Sequence, residues 1–332
     1  MAAVSTLDEP QEAVDSYVTR LAALRQSRRS HFAELIETVS AVDWDLDALE
    51  TKLHALRSRF NGVRPGGRVR FHLRWHPSRR SSAGLIHHGV GLEVLASDQS
   101  APRQTRRLKA WPRSIELDRT THPADRAYRR DVIKEIKVLN RTFIRDRSWL
   151  YQLGNAVRKI ASDNSLEVLP IAPTRNDLTF DAACHYRAAI SAHVIRVIKA
   201  LLEQMESIDR ELTKVMYEFN TVEPKRRNGS LSIAFTIRGT QMEQRVGPNG
   251  PFFSTVSFKN GRRYAHRLKS GSKRFPNRVN RDVLRSRHLR RYARPLLLKA
   301  RRIEQLRNKR AECQAAAESL YRHIRTMQRE LK

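Results

Sequence analysis

The sequence predicts an α+β protein: a tandem duplicated unit of helix, three-stranded antiparallel sheet and helix, with long coiled-coil-like helices. Three observations predict it. Segments recur at a period of about 160 residues, apolar residues hold a 3-4 spacing over very long stretches, and strict apolar–polar alternation fills the intervals.

The duplication is read from ordered matches. Phe60-Asn61-Gly62-Val63-Arg64-Pro65 returns as Phe219-Asn220-Thr221-Val222-Glu223-Pro224, and Arg107-Leu108-Lys109 returns as Arg267-Leu268-Lys269. Tyr128 opens a helical pattern whose counterpart starts at Tyr292. Offsets drift from 159 to 164, as small loop insertions produce. These matches set the expected domains at 1–165 and 166–332, with Leu169-Pro170-Ile171-Ala172-Pro173 as the linker.

Each copy opens and closes with a helix. Phe32, Leu35, Val39, Val42, Leu46, Leu53, Leu56 and Phe60 carry the first apolar seam; Val194, Val197, Leu201, Met205, Ile208, Leu212 and Phe219 carry its counterpart. The closing helices run through Val132, Ile136, Phe143, Leu150 and Leu153, and through Leu296, Ile303, Leu306, Cys313 and Leu320. A period near 3.5 sustained this long signals packing between long helices. Thr121 ahead of Pro123 suits a helix start, and Pro295 either bends the last helix or marks its beginning.

Between the helices Val69, Phe71, Leu73 and Trp75 alternate with Arg68, Arg70, His72 and Arg74, so the outward face of that strand is cationic. In the second copy Leu231, Ile233, Phe235 and Ile237 alternate in the same way. A hairpin follows, Phe252 to Lys269, turning at Lys259-Asn260-Gly261. A two-residue turn pairs Phe258 with Arg263 and mixes aromatics and cations on both faces. A three-residue turn pairs Phe258 with Arg262 and Val256 with Tyr264, gathering Phe252, Val256, Phe258, Tyr264 and Leu268 on one face. Burial favours the second register. It sets Arg263, Arg267 and Lys269 on the open face, matching Arg103, Arg107 and Lys109 at an offset of 160.

Charge supplies the partner class. The chain has 64 Lys+Arg against 34 Asp+Glu, a net +30, and the excess is segmented: −5 over 1–56, +10 over 57–120, +3 over 121–220, +17 over 221–300 and +5 over 301–332. Two basic blocks alternating with near-neutral stretches point to a nucleic acid. Arg68, Arg70 and Arg74, the two repeated trios, and Lys273 with Arg274 are the candidate DNA contacts.

Several classes are excluded. Cys184 and Cys313 are the only cysteines, too few for a disulfide scaffold or zinc finger. No apolar run approaches a membrane span, and the acidic start (Asp8, Glu9, Glu12, Asp15) is unlike a signal peptide, so the expected location is the cytoplasm. No phosphate loop, Cys-x-x-Cys or His-Glu-x-x-His is present, and the neighbours His87 and His88 point to opposite faces of a strand. No catalytic residue, metal site or cofactor is expected. Arg287-His288-Leu289-Arg290 with Tyr321 is similar to part of a tyrosine-recombinase site, but it lacks the second Arg box and the Lys that chemistry needs.

Phe258-Lys259-Asn260-Gly261-Arg262-Arg263-Tyr264, His266-Arg267-Leu268-Lys269-Ser270-Gly271 and Arg274-Phe275-Pro276, followed by an Arg-rich helix, resemble the MobI proteins of conjugative elements. The resemblance covers residues 252–310 and departs where Ser270 separates Lys269 from Gly271. It implies a non-enzymatic accessory protein binding double-stranded DNA at an origin of transfer, with a separate relaxase as protein partner. RNA or ribosome binding and a strand-transfer enzyme are the competing expectations.

Overall fold

The structure, a computed structural model, describes residues 9–82, 85–98, 101–108, 110–163, 180–222, 231–234, 252–259, 262–268, 278–285 and 292–331. Helix α1 (Glu9–Asn61) leads into strands β1 (Val69–Ser82), β2 (Leu85–Asp98) and β3 (Ala101–Arg107), then short α2 (Ser114–Arg119) and long α3 (Arg126–Asp163). Helix α4 (Phe180–Thr221) leads into β4 (Leu231–Ala234), β5 (Phe252–Lys259) and β6 (Arg262–Arg267), then short α5 (Arg281–Arg285) and long α6 (Ala293–Leu331). The same order of elements thus occurs twice, and each trio of strands forms an antiparallel sheet in sequential order. Contacts divide the chain into two units, Met1–Leu35 with Ile198–Arg322, and Ile36–Val197 with His323–Lys332.

In the unit built on residues 36–197, the alternation of β1 becomes a buried face of Phe71, Leu73 and Trp75. Trp75 meets Phe143 of α3 edge-on at 6.1 Å. Burying each such side chain contributes about 1.5–3 kcal/mol relative to leaving it exposed. The free edge of β1 is closed by side chains. Asn61 accepts from the Leu73 N–H at 2.7 Å and donates to the Leu73 carbonyl at 2.9 Å, so one amide imitates a neighbouring strand. Buried Arg129 donates to the Phe71 carbonyl at 2.5 Å and to Thr121 Oγ1 at 2.8 Å, with its guanidinium 4.3 Å from the centre of the Phe60 ring. Phe60-Asn61 therefore ends a helix with one residue in the core and the next on the sheet edge. Beside it, Gly66 donates to Thr120 O, and a Cβ there would lie 2.2 Å from the Thr121 carbonyl. Only glycine fits this close backbone approach. Pro123 opens a short 3-10 turn that feeds α3, as its sequence position predicts.

In the other unit Leu231, Ile233, Phe253 and Leu268 are buried, and Phe253 packs on Phe219 at 5.6 Å. Pro295 falls in the first turn of α6 and marks its start. The hairpin register differs from the expected one. Val256 pairs with Ala265, Phe258 with Arg263 and Lys259 with Arg262, leaving only residues 260 and 261 between the strands. The two-residue turn thus prevails over the three-residue one, in keeping with the strong Asn-Gly preference for tight hairpins. The expected apolar face is not formed: Tyr264 pairs with Ser257 and is 44% exposed, while Phe253 supplies the buried aromatic. Phe235, Ile237 and the linker 169–173 lie outside the described residues.

Equivalent contacts recur. The Leu108 N–H donates to Val94 O at 3.0 Å, and the Leu268 N–H donates to Phe253 O at 2.8 Å. Buried Arg28 pairs with Asp209 at 2.9 Å; buried Arg187 pairs with Asp43, Asp47 and Glu50, the last at 3.5 Å. Arg187 is 159 residues after Arg28, and Asp209 is 159 after Glu50, so the second pair repeats the first with the roles of the two helices exchanged.

Candidate nucleic-acid interface

The best-defined cationic surface lies on β1. Because Phe71, Leu73 and Trp75 turn inward, the pleat turns Arg70, His72 and Arg74 outward. Arg68 and Arg74 are exposed, and Arg70 and His72 are half-buried. Arg70 is held by a 2.7 Å bond from Nη2 to the Asn61 carbonyl. Across the sheet the register aligns His72 with Leu95 and Leu95 with Arg107, so position 107 shares the row of His72. Arg106, one position before, is exposed as well.

Cations dominate this face along β1, while on β2 the register sets Glu93 opposite Arg74 and buried Leu95 opposite His72. Burial, with Arg70 and Arg74 adding to it, lowers the His72 pKa, so His72 is neutral at pH 7. Arg129 sits beneath at the edge of β1, where burial and then the Arg70 charge lower its guanidinium to about 10. It remains a cation at neutral pH and adds to the potential of the face. No sequence signal separated Arg129 from its neighbours, except that it falls among the apolar positions of the α3 seam.

The other expected contacts are placed less completely. Arg103 and Arg107 lie in β3, and Arg263 and Arg267 in β6. Arg263 is paired with Phe258 and Arg267 with Ser254, not with the Thr255 and Ser257 side of the strand that the three-residue turn requires. Lys109, Lys269, Lys273 and Arg274 lie outside the described residues, as do Arg287, His288 and Arg290. One feature was missed because of the register: Lys259, Tyr264 and His266 are all exposed on the β5–β6 hairpin. His266 Nε2 lies 3.0 Å from Ser257 Oγ.

Among the described residues no three His, Cys, Asp or Glu side chains are grouped to hold a metal ion. Tyr321 is buried and meets His31 edge-on at 6.4 Å. Cys313 is buried, which pushes its thiol pKa up, and Cys184 donates to Glu50. No described helix is long and apolar enough to cross a membrane. Comparison with protein-family models, characterised proteins and solved structures finds no match to this chain.

Proposed function

We propose that this chain is a non-enzymatic accessory protein that binds double-stranded DNA in the cytoplasm, acting at a conjugative origin of transfer beside a separate relaxase. The observation that carries the DNA reading is the β1 face: inward Phe71, Leu73 and Trp75 oblige Arg70 and Arg74 to face out, next to exposed Arg68, in a chain of net charge +30. A charged face held by a buried opposite face presents its cations at fixed spacing, which phosphate contacts need to set a register. The MobI resemblance of residues 252–310 supplies the conjugative context.

A tandem duplication with boundaries at 1–165 and 166–332 accompanies this reading. It is supported by the repeated element order, by the twin bonds from Leu108 and Leu268, and by the exchanged pairs Arg28–Asp209 and Arg187–Glu50. Two basic sheets in one chain suit two half-sites on a duplex.

Exposed Tyr264 beside Lys259 favours a second reading, RNA or single-strand binding, since an outward aromatic offers a base a stacking surface. Fluorescence anisotropy with duplex DNA, single-stranded DNA and folded RNA of equal length separates the two. The DNA reading expects preference for the duplex and a fall of about 10³–10⁵ in affinity between 50 and 200 mM salt if some 6–10 phosphates are engaged. Equal or tighter RNA binding that Tyr264→Ala abolishes would establish the second.

A further inference from the structure

We propose that α3 carries a second phosphate-binding surface, a stripe of six cations that engages a duplex backbone on the side of the helix turned away from β1. The proposal rests on the nucleic-acid reading and adds a site to it. Arg126, Arg130, Lys134, Lys137, Arg141 and Arg145 follow one another at spacings of four, four, three, four and four. With 3.6 residues per turn, these positions fall within a sector of about 100°. The core positions Val132, Ile136, Phe143 and Leu150 occupy the opposite side. Five of the six cations are exposed and Lys137 is half-buried. At 1.5 Å per residue the stripe is about 28 Å long.

The arrangement differs from an ordinary solvated helix face. Helices that carry charge for solubility alternate signs at i and i+4, and like charges at that spacing destabilise the helix. Here four i,i+4 pairs, Arg126/Arg130, Arg130/Lys134, Lys137/Arg141 and Arg141/Arg145, are positive at both positions. Among the carboxylates of α3, Glu135 pairs with Lys52 of α1 at 2.9 Å, Asp146 pairs with Arg145 of the stripe itself at 2.8 Å, and Asp131 borders Arg130 and Lys134. Among the described residues, Lys134 and Arg141 pair with no carboxylate. Arg130 approaches Asp118 only to 3.6 Å, with both partly exposed. Pro112 and Ser114 join Arg130, Lys134 and Lys137 around a notch of about 400 Å³, where three cations face a single carboxylate, Asp131.

Length selects the ligand. A single phosphate in the notch reaches three cations at most, whereas a stripe of about 28 Å is matched by a polyanion whose charges recur every few ångströms, as along a nucleic-acid strand. The copy on α6 interrupts the pattern. At an offset of 164, positions 126, 130, 134, 137, 141 and 145 correspond to Arg290, Arg294, Leu298, Arg301, Gln305 and Lys309, so two of the six cations are replaced at its centre, and Leu298 is 59% exposed. The chain therefore contains its own control helix.

The test uses the full chain and a short fluorescent DNA duplex, with affinity measured between about 50 and 200 mM salt. Lys134→Ala with Arg141→Ala should lower the salt slope by about two, since each phosphate contact contributes about one. Affinity should fall at least tenfold near 0.1 M salt, alike for unrelated sequences, with an unchanged melting temperature. The pair Arg301→Ala with Lys309→Ala removes the same charge from α6 and should change the slope much less. Equal losses from the two pairs would reduce the effect to net charge and overturn the stripe. So would an unchanged slope in the α3 variant while the wild type binds. Failure of the wild type to bind the duplex would instead remove the nucleic-acid reading, together with this site.

Discussion

The Arg28 guanidinium donates to the Asp209 carboxylate at 2.9 Å, with 0% and 2% of the two side chains reached by solvent. The other Asp209 oxygen accepts from Arg310 Nε at 2.7 Å, so a single buried carboxylate serves two buried guanidiniums. Burial, more than the neighbouring Arg310 charge, lowers the Arg28 pKa, and Asp209 opposes that shift. Arg310 extends the network to Gln314, which donates in turn to Glu318.

Asp209→Asn removes the buried carboxylate that serves both Arg28 and Arg310 and should destabilise by about 3–5 kcal/mol, the cost of stranding buried charge. Glu50→Gln should cost much less, because Asp43 and Asp47 still serve Arg187. Denaturant unfolding of the two variants checks the order. Equal losses would mean that the exchanged pairs are equivalent in energy as well as in position.

Replacing Asn61 by Ala leaves the Leu73 N–H and carbonyl without the amide that serves both. The expected loss is about 1–3 kcal/mol, with faster hydrogen exchange at the Leu73 amide than at amides paired to β2. Protection unchanged at Leu73 would show that another group closes the strand edge.

His72 gives the β1 face a pH dependence. Its folded pKa lies below the ordinary histidine value, so its contribution to stability is present above that ordinary value and is lost as pH falls through the lowered one. A phosphate beside Arg70 and Arg74 raises the His72 pKa, so the complex binds more protons than the free protein. Duplex affinity should therefore rise as pH drops from neutral into the histidine range, and His72→Gln should flatten the profile. A profile unchanged by that substitution would move the phosphate away from β1.

Two glycines test close packing. A Cβ at Gly154 would meet Ile190 Cγ2 at 2.7 Å, and one at Gly66 would meet the Thr121 carbonyl at 2.2 Å. Gly154→Ala should cost about 1–3 kcal/mol of overpacking, partly offset by up to about 1 kcal/mol of helix propensity. Gly66→Ala should cost more, because the obstacle is backbone. Thermal melting ranks them, and the reverse order would place the rigid contact at Ile190.

Periodicity made the helices and β1 legible, because Leu46, Leu53, Phe71 and Leu73 sit where their spacing puts them. The β5–β6 register was misread at a single choice. Phe252 and Phe253 are adjacent, and the alternation alone does not say which turns inward; pairing with Leu231 and Ile233 through β4 decides for Phe253. The α3 stripe was hidden by block arithmetic, since 13 acidic residues spread over 121–220 offset most of the 16 basic ones there. Arg28, Arg129 and Arg187 look like surface residues in a sequence, and only tertiary partners bring them inside.

The make-up of the unit around β1 has a consequence for its biosynthesis. Its sheet and α3 are finished by residue 163, yet it also needs Tyr186, stacked on Tyr151 at 5.9 Å, and Gln328, which donates to Thr38. Translation proceeds at about 5–20 residues per second, so the last of these pieces emerges some 10–30 s after α3. Through that interval the nascent chain holds an open apolar seam and a basic sheet near ribosomal RNA. Chaperone occupancy of ribosomes stalled between residues 170 and 320 should therefore be high, and chaperone binding should fall once the chain is released.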